Sequence, residues 1–223
     1  CSGPRRTGDV IWHIEHEGAL AGFNIFGVAV DPLAGTDSDF HDVGVIQYGN
    51  LLDAKVGNFL LGLIASDRVI GGFGSPPCST ISAARHMPLR DRMGPRPLRS
   101  RDSPWEPLEY CSKKEVASVM LGSTLFLLCL GLLGEVRRRG GWFGLEHPAD
   151  RGPPYPSFFN TPEVESFKVF TRAVYLVTHQ CMFGAPTKKP TGLLVPDHGR
   201  GLALRCRHAR RHPQLKGLDS RSE

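Results

Sequence analysis

A cysteine placed directly after two prolines is the residue of this chain best suited to covalent chemistry. Cys78 ends the run Ser75-Pro76-Pro77-Cys78, which follows an apolar stretch, 69–73, that predicts a buried strand ended by glycines. The prolines hold the backbone extended and present the thiol at the carboxyl end of that strand, where open α/β sheets gather ligands. Such a thiol is a potential nucleophile. The alternative is a proline-rich loop with an incidental thiol.

Two carboxylates also follow segments that predict strands. Asp31 ends the apolar stretch 23–30, and an acid at this point holds a ribose hydroxyl in nucleotide-binding folds. Glu146 stands in Glu146-His147-Pro148, at the end of the strand predicted over 142–145. Both acids are therefore candidates for the same sheet edge as Cys78.

The order of the predicted elements indicates how these residues are positioned. The first part of the chain predicts a helix, two strands, a helix and a strand, over 10–21, 23–30, 43–48, 54–65 and 69–73. This order is typical of an α/β fold with a doubly wound, mostly parallel sheet. Later, 162–170 predicts a short helix, and 173–178 with 192–195 predict a terminal β-hairpin.

The most apolar segment, 116–134, carries no charge and follows Ser112-Lys113-Lys114-Glu115, which has the form of a capping box. Its length reaches the threshold for a membrane span. A helix lying across a sheet can be equally apolar. Because the segment lies between α/β elements, we favour a buried core helix and predict no membrane partner; a membrane protein is the alternative.

Charge is distributed unevenly along the chain. Residues 1–84 carry 4 Lys and Arg against 9 Asp and Glu, a net of −5, whereas residues 85–223 carry 23 against 13, a net of +10. Such basic patches suit a polyanion, nucleic acid above all, although solvated charge on loops is the alternative. The first basic run lies in a long loop rich in Arg and Pro, 83–111, and comprises Arg85, Arg90, Arg92, Arg96, Arg99 and Arg101.

The cysteines and histidines indicate neither disulfides nor a metal. Six cysteines lack C-x-x-C spacing and no secretory signal is recognised, which favours an intracellular protein, in the nucleus or the cytoplasm, that is not secreted. Cys206, His208 and His212 are of metal-ligand type, but no fourth ligand has a suitable spacing. The sequence therefore predicts no metal site and a basic, partly disordered tail over 196–223.

Taken in order, these motifs resemble those of the cytosine-5 DNA methyltransferases, which are S-adenosylmethionine-dependent enzymes of the class I methyltransferase fold. Residues 74–82 are similar to the nucleophile motif of that family, in which the cysteine after two prolines attacks the base. Glu146-His147-Pro148 is similar to its Glu-Asn-Val or Glu-Asn-Pro motif. The resemblance covers roughly residues 1–195, as a catalytic domain that includes an Arg-rich loop over 85–111.

The resemblance implies a role for each matching residue. Cys78 and Glu146 would be catalytic, as the nucleophile and as the proton donor to the base. S-adenosyl-L-methionine would be bound by residues that match the cofactor motifs, namely Ser2, Gly3, Asp31, Gly49, Asn50 and Pro76. DNA, with RNA as an alternative, would be bound by Arg85, Arg90, Arg92, Lys188 and Lys189.

The sequence also departs from the family pattern. The chain begins at Cys1, inside the first loop, so the first strand of the sheet is missing from the expected fold. Asn50 stands where Asp is usual, and His147 where Asn is usual. We therefore expect a divergent, truncated relative with impaired methyl transfer. The alternative is a non-catalytic nucleic-acid-binding module on the same scaffold; an amino-group methylase fits less well, because it would need an aromatic ring in place of Cys78.

Overall fold

The computed structural model describes residues 10–30, 46–86, 95–209 and 212. The chain divides into two compact units, Cys1–Leu63 and Ile64–Glu223. Its described part is a mixed α/β structure with four α-helices, α1 to α4, and six strands, β1 to β6.

The first unit contains a helix and a pair of short strands. Helix α1 spans Val10–Leu20, and β1 (Val28–Val30) pairs in parallel with β2 (Ile46–Tyr48). The strand predicted over 23–30 is therefore wrong for 23–27, where Phe23 is 65% and Phe26 82% exposed. An apolar run forms a strand only where a neighbouring strand takes up its backbone hydrogen bonds, and only the last three residues of this run have such a partner.

Helix α2 spans Ala54–Ala65, the range that the apolar periodicity predicts. Its start is fixed by Asp53, whose side-chain Oδ1 accepts a hydrogen bond from the backbone N–H of Lys55 at 2.9 Å. An aspartate that satisfies a free N–H of the first turn is a favourable helix start.

The second unit is built on a four-stranded sheet. Its strands are β3 (Gly71–Gly74), β4 (Trp142–Pro148), β5 (Ala173–His179) and β6 (Pro190–Pro196), in the order β3-β4-β6-β5. β3 and β4 are parallel, whereas β6 is antiparallel to both β4 and β5. The predicted terminal hairpin is present as β5 and β6. Since only one of the three pairs is parallel, the expectation of a mostly parallel sheet does not hold for this sheet.

Helix α3 spans Lys113–Arg138 and packs against β3, β4 and α4. It begins with the predicted capping box, in which Ser112 Oγ accepts from the Glu115 N–H and Glu115 Oε2 accepts from the Ser112 N–H. The helix is long and apolar enough to cross a membrane, and 39% of its most apolar window is buried. The buried-core interpretation explains one face only, because the opposite face leaves Met120, Leu121 and Leu127 exposed.

The core of this unit lies between the sheet, α3 and α4 (Pro162–Thr171). It is dominated by aromatic rings, including the fully buried Phe126, Phe143 and Phe158. Gly192 on β6 lets a further ring approach the strand, since a Cβ there would lie 2.4 Å from Phe159 Cε2. This core includes Leu145 near the end of β4, and Cys78 packs against it.

Candidate active site

The carboxyl ends of β3 and β4 lie side by side and bring Cys78 and Glu146 to the same edge. Gly74, the last residue of β3, is in register with Leu145 of β4. The residues that follow them are Ser75 and Glu146, and the Ser75 hydroxyl donates to Glu146 Oε2 at 2.5 Å. The parallel pairing thus places the proline-cysteine loop directly against the carboxylate.

The Cys78 loop is a tight turn anchored in the core. The Cys78 carbonyl accepts hydrogen bonds from the N–H groups of Ile81 and Ser82, at 3.1 and 3.0 Å. Ile81 is buried in the core beside Phe126, while Cys78 is half-buried and packs against the same cluster. The thiol is consequently held on a fixed backbone at the border of the core.

One carboxylate oxygen of Glu146 accepts a hydrogen bond, and the other has no hydrogen-bond donor among the described residues. Oε2 accepts the Ser75 hydrogen bond, whereas Oε1 is buried and has no hydrogen-bond partner among the described residues. The Lys189 ammonium lies 3.7 Å from Oε1, beyond hydrogen-bond range. A buried oxygen without a hydrogen-bond donor is costly, so Oε1 is suited to accept a hydrogen bond from a ligand.

The charges around Cys78 act in opposite directions on its thiol. Burial raises the pKa of Cys78 above its ordinary value, the Lys189 ammonium lowers it, and the Glu146 carboxylate raises it. Nucleophilic attack needs the thiolate. Lys189 is therefore a group in this site that favours the reactive form, whereas burial and the Glu146 carboxylate oppose it.

His147 fixes the loop from inside the core. It is 1% exposed, and burial lowers its pKa to about 3, so the ring is neutral at physiological pH. The ring shares a hydrogen bond with the Pro77 backbone; because proline has no N–H, its carbonyl accepts. Nε2 has no hydrogen-bond partner among the described residues, so Nδ1 is the donor. His147 thereby ties β4 to the residue before Cys78.

We expect His147 to make stability depend on pH. Its folded-state pKa lies below the unfolded value of about 6.5, so the stability present above pH 6.5 is lost as the pH falls toward 3. The loss is about 1.4 kcal/mol per pH unit. Urea unfolding of wild type and His147→Asn between pH 7.5 and 5 measures it: Asn Nδ2 can replace the ring Nδ1–H, and the variant should show a flatter profile.

The exposed His198 provides the control for this measurement. His198→Gln should retain the wild-type slope. A wild-type slope in His147→Asn would contradict the assignment of His147 as a buried neutral ring.

Arg99 joins the far side of the Cys78 loop to α3. It is 1% exposed, and Nε and Nη2 donate to Thr80 Oγ1 at 3.1 and 2.9 Å. Nη2 also donates to the Val119 carbonyl, and Nη1 to Ser123 Oγ and the Pro104 carbonyl. The helix approaches closely because position 122 is glycine; a Cβ there would lie 3.2 Å from Arg99 Nη2.

Contacts within the protein engage the four described arginines of the first basic run, and its binding of nucleic acid stays a prediction. Arg99 is buried and cannot reach a phosphate, Arg96 pairs with Glu115 at 2.6 Å, and Arg101 pairs with Asp150 at 2.8 Å. Arg85 donates to the Ser79 carbonyl of the Cys78 loop at 2.5 Å and to the Arg96 carbonyl at 3.1 Å. These arginines stabilise the loop over 83–111. The sequence could not show this, because it does not distinguish a buried arginine from an exposed one.

The remaining predicted site residues fall into three groups. Pro76 is buried within the Cys78 loop, Lys188 is exposed, and Lys189 lies beside Glu146. Gly49 and Asn50 lie in the first unit, where the Asn50 side chain accepts from the Leu52 N–H at 3.0 Å. The others, Ser2, Gly3, Asp31, Arg90 and Arg92, lie outside the described residues.

The sequence did not predict the roles that three residues have in this site. Ser75 belongs to the motif but was given no role, Arg99 was counted as surface charge, and Lys189 was assigned to nucleic acid alone. The serine adjoining the proline-cysteine motif was the one available signal. Comparisons with protein-family models, curated proteins and solved structures found no match for this chain.

Proposed function

We propose that this chain is a cytosine-5 DNA methyltransferase-like domain that attacks the base through Cys78. The observation that carries the proposal is the meeting of Cys78 and Glu146 at adjoining strand ends, with Glu146 Oε1 buried and without a hydrogen-bond donor in the part of the chain that the structure describes. The parallel β3–β4 pair and the terminal hairpin support a class I methyltransferase sheet, doubly wound, as the finer fold. DNA is the proposed substrate.

The reaction needs a nucleophile and an acid on the same base. The Cys78 thiolate would form a bond to C6 of a flipped cytosine, and the displaced electron pair would move toward N3, where protonated Glu146 would supply a proton. C5 would then take up the methyl group. The C5 proton would pass to water, its bonding electron pair would re-form the C5–C6 double bond and expel the Cys78 thiolate, and the N3 proton would return to Glu146, which restores the ring and the acid.

S-adenosyl-L-methionine is the proposed methyl donor, and in this scheme it supplies an electrophilic methyl group to C5. One observation supports its binding. Pro76 follows the end of β3, at the edge where ligands of α/β sheets bind.

We expect Glu146→Gln to slow covalent addition by about 10²- to 10⁴-fold, because a carboxamide can donate a hydrogen bond but cannot transfer a proton to N3. The probe is a randomised duplex DNA pool in which 2-pyrimidinone, which is more electrophilic at C6, replaces cytosine. The rate of a denaturant-resistant protein–DNA band measures addition.

Glu165→Gln provides the matched control, since Glu165 is an exposed carboxylate paired with Lys168 on α4. It should react at the wild-type rate. Equal rates for Glu146→Gln and wild type would refute the acid role of Glu146.

A further inference from the structure

Four potential metal ligands meet at the turn end of the terminal hairpin. Cys181 lies in the short turn Gln180–Phe183 that follows β5. Cys206, His208 and His212 lie in the segment after β6. The four ligand atoms, two sulfurs and two ring nitrogens, all lie within 4.8 Å of one another.

The distances between these atoms match a tetrahedral site. Cys206 Sγ lies 3.4 Å from His208 Nδ1 and 3.1 Å from His212 Nε2, and the two ring nitrogens are 3.2 Å apart. With Zn–N near 2.1 Å and Zn–S near 2.3 Å, the edges of a tetrahedron measure about 3.4 to 3.8 Å. A shift of a few tenths of an ångström would therefore accommodate an ion between these three residues, and Cys181 is within reach as the fourth.

Neighbouring groups orient the ligands. His212 Nδ1 lies 3.2 Å from the Pro186 carbonyl; since a carbonyl only accepts, Nδ1 carries the proton and the Nε2 lone pair faces the cluster. The backbone N–H of Cys206 donates to His179 Nδ1 at 2.8 Å. Metal-binding histidines typically donate a hydrogen bond through the ring nitrogen that does not bind the metal, as His212 Nδ1 does here.

We propose that Cys181, Cys206, His208 and His212 form a structural zinc site. Two thiolates and two neutral imidazoles are a ligand set that zinc prefers, and they balance its charge. Four protein ligands leave no open position, which is typical of a structural rather than a catalytic site. The ion would lock the segment after β6 onto the hairpin, where His179 N–H already donates to the Leu204 carbonyl at 2.9 Å.

The sequence predicts no metal site because no fourth ligand has a suitable spacing, and in the structure Cys181 lies in that fourth place. The spacing Cys206-x-His208 and His208-x₃-His212 supplied three ligands, and the fourth was sought nearby along the chain. Cys181 is remote in sequence. β6 runs from the His179 end of β5 to its Ala173 end, and the segment after β6 then returns to His179, where Leu204 and Cys206 hydrogen-bond. A ligand brought by such a return of the chain leaves no local spacing signal.

Metal titration of the purified, reduced full chain tests the proposal. Co²⁺ added stoichiometrically should produce the visible absorption bands of a tetrahedral site with sulfur ligands, and Zn²⁺ should displace it at one ion per chain, counted by elemental analysis. Zn²⁺ should also raise the melting temperature, and a chelator should reverse that rise.

Matched variants make the outcome specific. Cys181→Ser and His212→Gln should each lose the stoichiometric Co²⁺ bands, while Cys111→Ser, which removes a half-buried thiol elsewhere, should keep them. The proposal is overturned if reduced wild type binds less than stoichiometric Co²⁺, if the bands survive in both ligand variants, or if Cys181 and Cys206 prove to be joined by a disulfide in the chain as isolated. These readouts do not depend on reaction at Cys78.

Discussion

Replacing Arg99 with methionine should cost about 2–4 kcal/mol of unfolding free energy, the largest stability loss that we expect from any single side chain of the site. The guanidinium is buried and donates to Thr80, Ser123 and the carbonyls of Pro104 and Val119. The hydroxyls can rotate toward other partners, and the Val119 carbonyl keeps its hydrogen bond within α3, but the Pro104 carbonyl loses the donor that Arg99 supplies. A buried carbonyl left without a donor costs about 1–3 kcal/mol.

Arg99→Met also removes a buried charge, and this gain in stability opposes the loss of the hydrogen bonds. Burial lowers the pKa of Arg99 to about 10, which shows how unfavourable its surroundings are to the charge, although the group stays protonated at neutral pH. Its rigid fork of donors offsets this cost, and the Phe158 ring, 5.0 Å from the guanidinium carbon, adds a cation–π contact. Arg99→Lys keeps a charge but loses the fork, so we expect it also to destabilise.

Urea unfolding at pH 7.5 measures these differences. Arg96→Met is the control, because Arg96 lies in the same segment but is exposed and paired with Glu115 on the surface. Its effect should be far smaller. If Arg99→Met were as stable as Arg96→Met, the hydrogen bonds of Arg99 would not be what holds the Cys78 loop against α3.

The second large effect concerns chemistry rather than stability. Cys78→Ser should abolish covalent addition to the 2-pyrimidinone DNA pool, because a serine hydroxyl near neutral pH is almost never ionised and no base in the described site activates it. The thiol is only half-buried, so we expect its replacement to change stability by about 1 kcal/mol or less.

Binding of unmodified DNA provides the companion measurement. Cys78→Ser should keep the wild-type affinity and the wild-type salt dependence, since neither depends on the thiol. Cys111→Ser, another half-buried thiol, should still form the adduct. If wild type bound DNA with a steep salt dependence but formed no adduct, the chain would be a nucleic-acid-binding module instead.

Local signals in the sequence predicted the local parts of the fold. The bounds of α2 and the capping box of α3 follow from nearest neighbours along the chain, and the hairpin from a glycine- and proline-rich turn between two β-rich runs. The strand over 23–27 failed because pairing is decided by a distant partner. The exposed face of α3 was missed for the same reason, since an apolar helix does not reveal what covers it.

The candidate site was predictable in its motifs but not in its electrostatics. Cys78 and Glu146 were placed correctly because parallel strands end at one edge. The position of Lys189 beside Glu146 depends on β6 inserting between β4 and β5, and no motif encodes that. The burial of Arg99 likewise depends on how closely α3 approaches.

Covalent trapping with peptide mapping tests the central claim, that Cys78 is a nucleophile directed at a pyrimidine base, most directly. Wild-type chain reacted with the 2-pyrimidinone DNA pool is digested with protease and nuclease, and the modified peptide is sequenced by mass spectrometry. We predict one modified base per chain, on Cys78, in a peptide that contains Ser79 and Thr80. An adduct on another cysteine, or no adduct from folded chain that binds the same DNA, would contradict the account.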